Sequence, residues 1–161
     1  MFAAVAVGVS FLCSILEAVL LSTTTAHVQV METEGMRSSS LWKEFKDEPE
    51  RPLTAILTLN TIAHTVGALG VGAQVAALYA GDPLEQKAIF LASAALTVAV
   101  LLLSEILPKT LGAIYWKKLS GFTAFTLRTL IALLIWIVWP IEKLRSIFPI
   151  PDISANIFLI Y

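Results

Sequence analysis

An acidic residue at the end of an apolar stretch is the feature of this sequence most able to do chemistry. Glu105 follows a run from Ile89 to Leu103 that contains no charged residue. A carboxylate at the centre of a membrane helix costs about 2.5–3.5 kcal/mol on insertion scales, so such residues usually face a bundle interior and mark an ion or proton path. Pro108 has no N–H, so the Ser104 carbonyl loses its helical partner. A free carbonyl beside a carboxylate predicts an oxygen site for a hard cation.

Further oxygen donors occur in two other apolar segments. Ser10, Ser14 and Glu17 fall at spacings of four and three and share a helix face, and Ser22 follows close to that side. The candidate metal ligands are Ser14, Glu17, Ser22, Asn60, Glu105 and the carbonyl of Ser104. Because no Cys/His cluster accompanies them, zinc, copper and iron are disfavoured and Mg²⁺, Ca²⁺ or Na⁺ is favoured. Two glutamates inside a membrane could equally carry coupling Na⁺ or H⁺.

Two residues near these donors leave alternatives open. His64 follows Asn60 by four residues, and we expect a hydrogen-bonded interior histidine rather than a ligand or proton relay. Lys109 follows Glu105 by four residues, the favourable order for an ion pair within one helix. The alternative is that Lys109 extends to the membrane surface and leaves Glu105 for a cation.

Composition predicts an all-α membrane protein. Hydrophobic residues make up 57% of the 161 residues and charged residues 14%, against about 25% charged in soluble domains. Three apolar segments, at approximately 1–24, 53–80 and 86–115, each reach the ~20 residues that span a bilayer. The net charge of −1 gives no indication of a nucleic-acid partner. Cys13 is the single cysteine, so no disulfide forms within the chain, and we expect it to pack in the interior.

The distribution of basic residues predicts the topology. With three spans and the N-terminus outside, every Lys and Arg except Lys87 falls on the cytoplasmic side. We therefore expect juxtamembrane helices at about 32–50 and 119–146 on the cytoplasmic face, although 119–141 could instead be a fourth span. The signal Trp116-Lys117-Lys118 predicts the end of the third span, and 147–161 reads as a linker after a membrane domain at 1–146.

The second span carries a stripe of small and polar residues at helical spacing. Its members are Asn60, Ala63, Gly67, Gly70 and Gln74. Small residues let membrane helices approach closely, and amides hydrogen-bond across the gap. The stripe predicts a packing seam, with Gln74 either part of that seam or functional.

The order of these motifs resembles a known family. Ser14-x-x-Glu17-x-x-x-x-Ser22, then Asn60, then Glu105-Ile-Leu-Pro-Lys-Thr, over roughly residues 8–145, is similar to the transmembrane domain of CNNM/CorC magnesium transporters. The resemblance implies a multi-pass cell-membrane homodimer of three-span protomers with a cytoplasmic belt of helices. It also implies export of Mg²⁺, with Co²⁺ as a second candidate, driven by Na⁺ entry, and a cytosolic regulatory module of paired CBS motifs.

The same resemblance implies a site for a dehydrated Mg²⁺. Its carried-over ligands are Ser22, Asn60 and Glu105, with Ser14 and Glu17 as secondary candidates. This chain has His64 where the family often has Asn, and Leu16 where it has a small residue. The first difference leaves the role of position 64 open, and the second alters packing beside the site.

Two other functions compete with transport. A membrane anchor and dimerisation scaffold for a cytosolic domain would need the same polar stripes but no ion. An intramembrane enzyme is disfavoured, because Ser22 and His64 come without a Gly-x-Ser-x-Gly or metalloprotease motif.

Overall fold

The computed structural model describes residues 1–146, which form seven α-helices and one π-helical segment. The α-helices are α1 (Phe2–Ser22), α2 (Thr25–Thr33), α3 (Ser39–Asp47), α4 (Glu50–Leu78), α5 (Glu85–Ala99), α6 (Leu107–Leu133) and α7 (Ile135–Ser146). The π-helical segment π1 (Val100–Ile106) joins α5 to α6 without a break. The predicted linker at 147–161 lies outside the described residues.

Three helical stretches are long and apolar enough to cross a membrane. They are Phe2–Ser22, Glu50–Leu78 and the continuous stretch Glu85–Leu133, which comprises α5, π1 and α6. The fold prediction of an all-α membrane protein is confirmed, since the described part of the chain is helical and contains no strand.

The charged segment at 32–50, where the sequence predicts juxtamembrane helices, contains the end of α2 and the whole of α3. The helices there are α2 and α3, separated by a turn in which Gly35 has a φ of 67°. Glycine tolerates that left-handed conformation because it lacks a Cβ. Thr24 starts α2 early, since its hydroxyl accepts a hydrogen bond from the backbone N–H of His27 at 3.3 Å.

The third span is predicted to end at about 115, but the helix that contains it continues past that point. The backbone of α6 continues from Leu107 to Leu133, and the helix ends at Leu134. Trp116-Lys117-Lys118 is an interface signal, and Trp and Lys both tolerate helical backbone. Such a signal can indicate where lipid ends without ending the helix.

The second half of α6 does not run parallel to α4. Glu105 hydrogen-bonds Asn60 of α4, and Arg128 lines a pocket together with Arg51 of α4. At a rise of 1.5 Å per residue, Glu105 and Arg128 are about 35 Å apart along the continuous helix of π1 and α6. The corresponding residues of α4, Asn60 and Arg51, are only about 14 Å apart. The helix must therefore cross α4 obliquely, toward the end of the bundle that holds α3.

The buried core lies at that same end of the bundle. Trp42 of α3 is fully buried, and its indole Nε1 donates to the Ser120 carbonyl at 3.1 Å. Lys46 donates to the Leu20 carbonyl at the end of α1, at 2.9 Å. Apolar side chains of α1, α4 and α6 complete the cluster. The amphipathic α3 thus fixes the ends of two spans in position.

Close helix contacts hold α1 against its neighbours. A Cβ added at Gly67 would overlap the side chain of Ala6, and one added at Gly112 would lie 2.8 Å from the Cβ of Ala18. These glycines permit the helix axes to approach, as the stripe on the second span predicts for Gly67. Gln74, at the far end of that stripe, is exposed.

Candidate cation site

Glu105 lies where three helical elements meet. Its Oε1 accepts a hydrogen bond from Asn60 Nδ2 of α4 at 3.2 Å, and its Oε2 accepts one from Ser14 Oγ of α1 at 3.3 Å. The Glu105 side chain is 21% exposed. The structure therefore brings together three of the predicted ligands, one from each span, around a mostly covered carboxylate.

Lys109 joins this carboxylate to a second one. Its Nζ lies 3.4 Å from Glu105 Oε2, one turn away on the same continuous helix, and 3.0 Å from Glu17 Oε2 on α1. The pair that the sequence left open is therefore formed, and it extends to Glu17. We call Glu17, Glu105 and Lys109 the acidic cluster; it contains two carboxylates and one ammonium.

His64 makes the predicted hydrogen bond, but its side chain is 34% exposed and therefore only partly covered. Its Nε2 lies 2.7 Å from the Ser10 hydroxyl and 3.8 Å from Glu105 Oε1. Ser10 is fully buried and does not figure among the predicted ligands. The spacing of four residues from Ser14 correctly placed Ser10 on the same helix face, although it did not mark Ser10 as part of the site.

The π1 segment surrounds Glu105 with altered backbone hydrogen bonding. The N–H of Leu107 bonds the carbonyl of Leu102, five residues back. Pro108 has no N–H for the carbonyl of Ser104 or that of Leu103. The Ser104 hydroxyl donates to Val100 O at 2.7 Å, so this side chain is engaged within its own helix. A short π-helical insertion of this kind is frequent at functional sites.

Asn60 has one polar atom without a partner. Its Oδ1 is buried and makes no hydrogen bond with any described residue, while its Nδ2 donates to Glu105. A buried unsatisfied carbonyl oxygen costs about 1–3 kcal/mol. Rotation of the amide toward a bound cation would satisfy this oxygen.

Ser22 lies apart from the other predicted ligands. It is eight residues beyond Ser14, which corresponds to about 12 Å along α1. Among the hydrogen bonds of the described residues, none joins Ser22 to the acidic cluster. Its assignment as a metal ligand, which came from the family resemblance, stays a prediction.

The donor set at this site is made of oxygen atoms of mixed type. Within residues 1–146, no group of three or more His, Cys, Asp or Glu side chains is placed to hold a metal. A cation beside Glu105 would therefore be bound by one or two carboxylates and completed by hydroxyl, amide, carbonyl or water oxygens. Such a shell suits Na⁺ or Mg²⁺ better than zinc.

The family is decided by comparison with known proteins. Residues 1–149 match the model of the cyclin M transmembrane N-terminal domain, CNNM. The chain belongs to the CNNM family. Membership confirms the resemblance found in the motifs, and CNNM proteins form a family of membrane ion transport rather than of enzymes.

A curated relative supports the same assignment. UPF0053 protein sll1254 of Synechocystis sp. is 30% identical over 106 residues, which is 66% of this chain and 29% of the relative. This CNNM chain therefore spans less than a third of that relative's length.

Proposed function

We propose that this CNNM domain carries Mg²⁺ across the cell membrane by export coupled to Na⁺ entry, with Co²⁺ as a second cargo. The observation that carries the proposal is the Glu105 carboxylate, held inside the bundle and contacted by Ser14 and Asn60. A carboxylate in this environment, next to neutral oxygens, favours passage of a hard cation.

The neutral donors support a partly or fully dehydrated ion. Mg²⁺ prefers six oxygens at about 2.0–2.1 Å and gives up water reluctantly, so each lost water needs a replacement oxygen. The hydroxyl of Ser14 is already at Glu105, and the unpartnered Oδ1 of Asn60 needs only an amide rotation to face the same ion. The Ser104 carbonyl and Glu17 are further candidates.

The charge of the acidic cluster supports an exchange of two cations. With Lys109 paired to both carboxylates and His64 counted as neutral, the cluster carries one uncompensated negative charge, which Na⁺ would neutralise. If Lys109 withdraws, two negative charges remain, which Mg²⁺ would neutralise. The Lys109 side chain is 44% exposed, so its ammonium has a route to water. We propose that Mg²⁺ binding displaces Lys109.

The remaining features of the transporter follow from the family and the charge distribution. We propose a homodimer in the bilayer, with the N-terminus outside and α2 and α3 on the cytoplasmic side. The oblique second half of α6 and the following α7 then form the cytoplasmic belt of helices. A CBS-pair regulatory module would follow in the longer protein.

The direct test is Mg²⁺ flux in proteoliposomes that contain a Mg²⁺-sensitive dye. We expect Glu105→Gln to abolish flux, because the amide keeps the shape and removes the charge. Glu34→Gln, the same change at an exposed residue of the α2–α3 turn, should leave flux unchanged. Normal flux in Glu105→Gln vesicles would remove this carboxylate from the transport mechanism.

A dimerisation scaffold is the second candidate, and one observation favours it. Lys109 pairs with both carboxylates, so one of the two negative charges of the acidic cluster is already neutralised without an ion. Calorimetric titration of the purified chain with MgCl₂ distinguishes the two functions. A saturable signal that disappears in Glu105→Gln supports transport, whereas no heat of binding supports the scaffold.

A further inference from the structure

A pocket of about 420 Å³ lies between α3, α4, α6 and α7. Its charged lining residues are Glu44, Arg51 and Arg128, and its apolar walls include Leu41, Ile131 and Ile135. We call it the arginine pocket. It differs from the groove between α1 and α4, which is lined only by apolar residues and glycine.

The charges of the arginine pocket favour an anion. Arg51 lies 3.5 Å from Glu44, and this ion pair fixes one guanidinium at the wall. Arg128 projects from α6 and is exposed, and the described residues give it no ion pair. The charged lining of the pocket thus contains two guanidiniums and one carboxylate. A guanidinium is a planar fork of donors that matches a phosphate group.

The location of the pocket matches the boundary of the membrane. Arg51 lies two residues before Leu53, where the apolar part of the second span begins. On α7, Trp136 and Trp139 are exposed, and Lys143 Nζ lies 5.2 Å from the centre of the Trp139 ring. Tryptophan and basic residues in this combination are typical of the lipid headgroup region.

We propose that the arginine pocket binds the phosphate of an anionic phospholipid. Arg128 is the main contact, Arg51 is the second, and the first acyl carbons lie along Ile131 and Ile135. The guanidinium of Arg128, which has no ion pair among the described residues, is free to pair with the negative charge of a phosphodiester. A lipid fits better than a soluble phosphate because only a lipid also uses the apolar walls. Basic pockets between membrane helices bind lipid headgroups in this way.

The proposal does not depend on the transported ion, and its test uses lipid retention. The purified chain in a neutral detergent is supplied with equal amounts of phosphatidylglycerol and phosphatidylcholine, and the lipid retained is counted by native mass spectrometry. We expect selective retention of phosphatidylglycerol, reduced about tenfold in Arg128→Gln, since that variant loses charge-assisted hydrogen bonds. Arg128→Lys keeps the charge and should retain an intermediate amount.

Arg37→Gln is the matched control, because it removes the same charge from an exposed position in the turn between α2 and α3. Equal retention in Arg128→Gln and Arg37→Gln would overturn the proposal. So would displacement of the lipid by the same concentration of glycerol phosphate, which would identify a soluble anion site. A change of oligomeric mass in Arg128→Gln, without loss of lipid, would instead assign the pocket to a second copy of the chain.

Discussion

Two groups of charged side chains in this molecule have opposite compositions. The acidic cluster combines two carboxylates with one ammonium, and the arginine pocket combines two guanidiniums with one carboxylate. Lys109 contacts both carboxylates of the acidic cluster, whereas Glu44 contacts only Arg51 among the described residues of the arginine pocket. The acidic cluster therefore has one uncompensated negative charge among the spans. The arginine pocket has at their end a guanidinium, that of Arg128, without an ion pair in the described part of the chain.

The carboxylates of the two groups also differ in how much water reaches them. Glu17 and Glu105 have side chains 22% and 21% exposed, whereas Glu44 is 55% exposed. Electrostatic interactions are stronger where water is excluded. We therefore expect changes in the acidic cluster to have larger effects than changes in the arginine pocket.

Removing the central carboxylate should have the largest effect. Glu105→Gln takes away the negative charge while retaining a side chain that can bond Ser14 and Asn60. Loss of a group that only orients a metal ligand costs about 10–100-fold. Loss of the ligand itself should reduce Mg²⁺ affinity by at least about 100-fold, as measured by calorimetry. A decrease of less than threefold would mean that the ion binds elsewhere.

Removing the Lys109 ammonium should have the next largest effect. It should lower the stability of the protein and raise its affinity for Mg²⁺. Lys109→Gln leaves Glu17 and Glu105 without their ammonium, so we expect the protein to be less stable without Mg²⁺. The same change removes the competitor, so Mg²⁺ should bind about tenfold more tightly, which corresponds to about 1.4 kcal/mol. Thermal unfolding with and without Mg²⁺ measures the first effect and calorimetry the second.

The control for loss of a lysine is Lys87→Gln. Lys87 lies in α5, at the end of the bundle away from the arginine pocket. The stability and Mg²⁺ affinity of this variant should match those of the unaltered chain. If Lys109→Gln is destabilised and added Mg²⁺ does not restore stability, Lys109 is a structural ion-pair partner and the exchange model is wrong.

Added salt should affect the arginine pocket more than the acidic cluster. The Debye length falls from about 10 Å at 0.1 M to about 3 Å at 1 M, and exposed charges are screened more than covered ones. Raising choline chloride from about 0.05 to 0.5 M should therefore weaken phosphatidylglycerol retention several-fold and change Mg²⁺ affinity by less than about twofold. Equal sensitivity would indicate that the acidic cluster is as open to water as Arg128.

Periodicity along the sequence predicted which residues face the bundle, but not which helices they reach. The apolar lengths and polar stripes were sufficient to predict three spans and to place Ser14, Asn60 and Glu105 on interior faces. The contact of Lys109 with Glu17 could not be predicted, because it depends on the relative height of two helices. The hydrogen bond between Ser10 and His64 is hidden from the sequence for the same reason.

The charged segment shows a different limit of sequence reasoning. Its many charges predicted helices on the cytoplasmic surface, yet Leu41, Trp42 and Phe45 of α3 are buried. These three residues form one apolar face of a short amphipathic helix among exposed charges. Average composition conceals such a face, and only the packing of α3 against α1 and α6 reveals that it is part of the core.

The smallest predicted effect is the contribution of Lys46 to the pH dependence of stability. Lys46 belongs to neither the acidic cluster nor the arginine pocket. Burial lowers the pKa of its ammonium below the usual 10.5, while its position at the carbonyl end of α1 should favour the charged form. If burial dominates, the unfolded chain binds more protons in the pH range just below 10.5. Stability then rises with pH through that range.

The matched variant is Lys46→Gln, which keeps a donor for the Leu20 carbonyl and cannot titrate. Between pH 8 and about 10.4, thermal unfolding should show the unaltered chain gaining stability relative to this variant. The gain should be at most a few tenths of a kcal/mol, because solvent screens a half-buried charge. A relative loss over the same range would mean that the end of α1 stabilises the Lys46 ammonium more than burial penalises it.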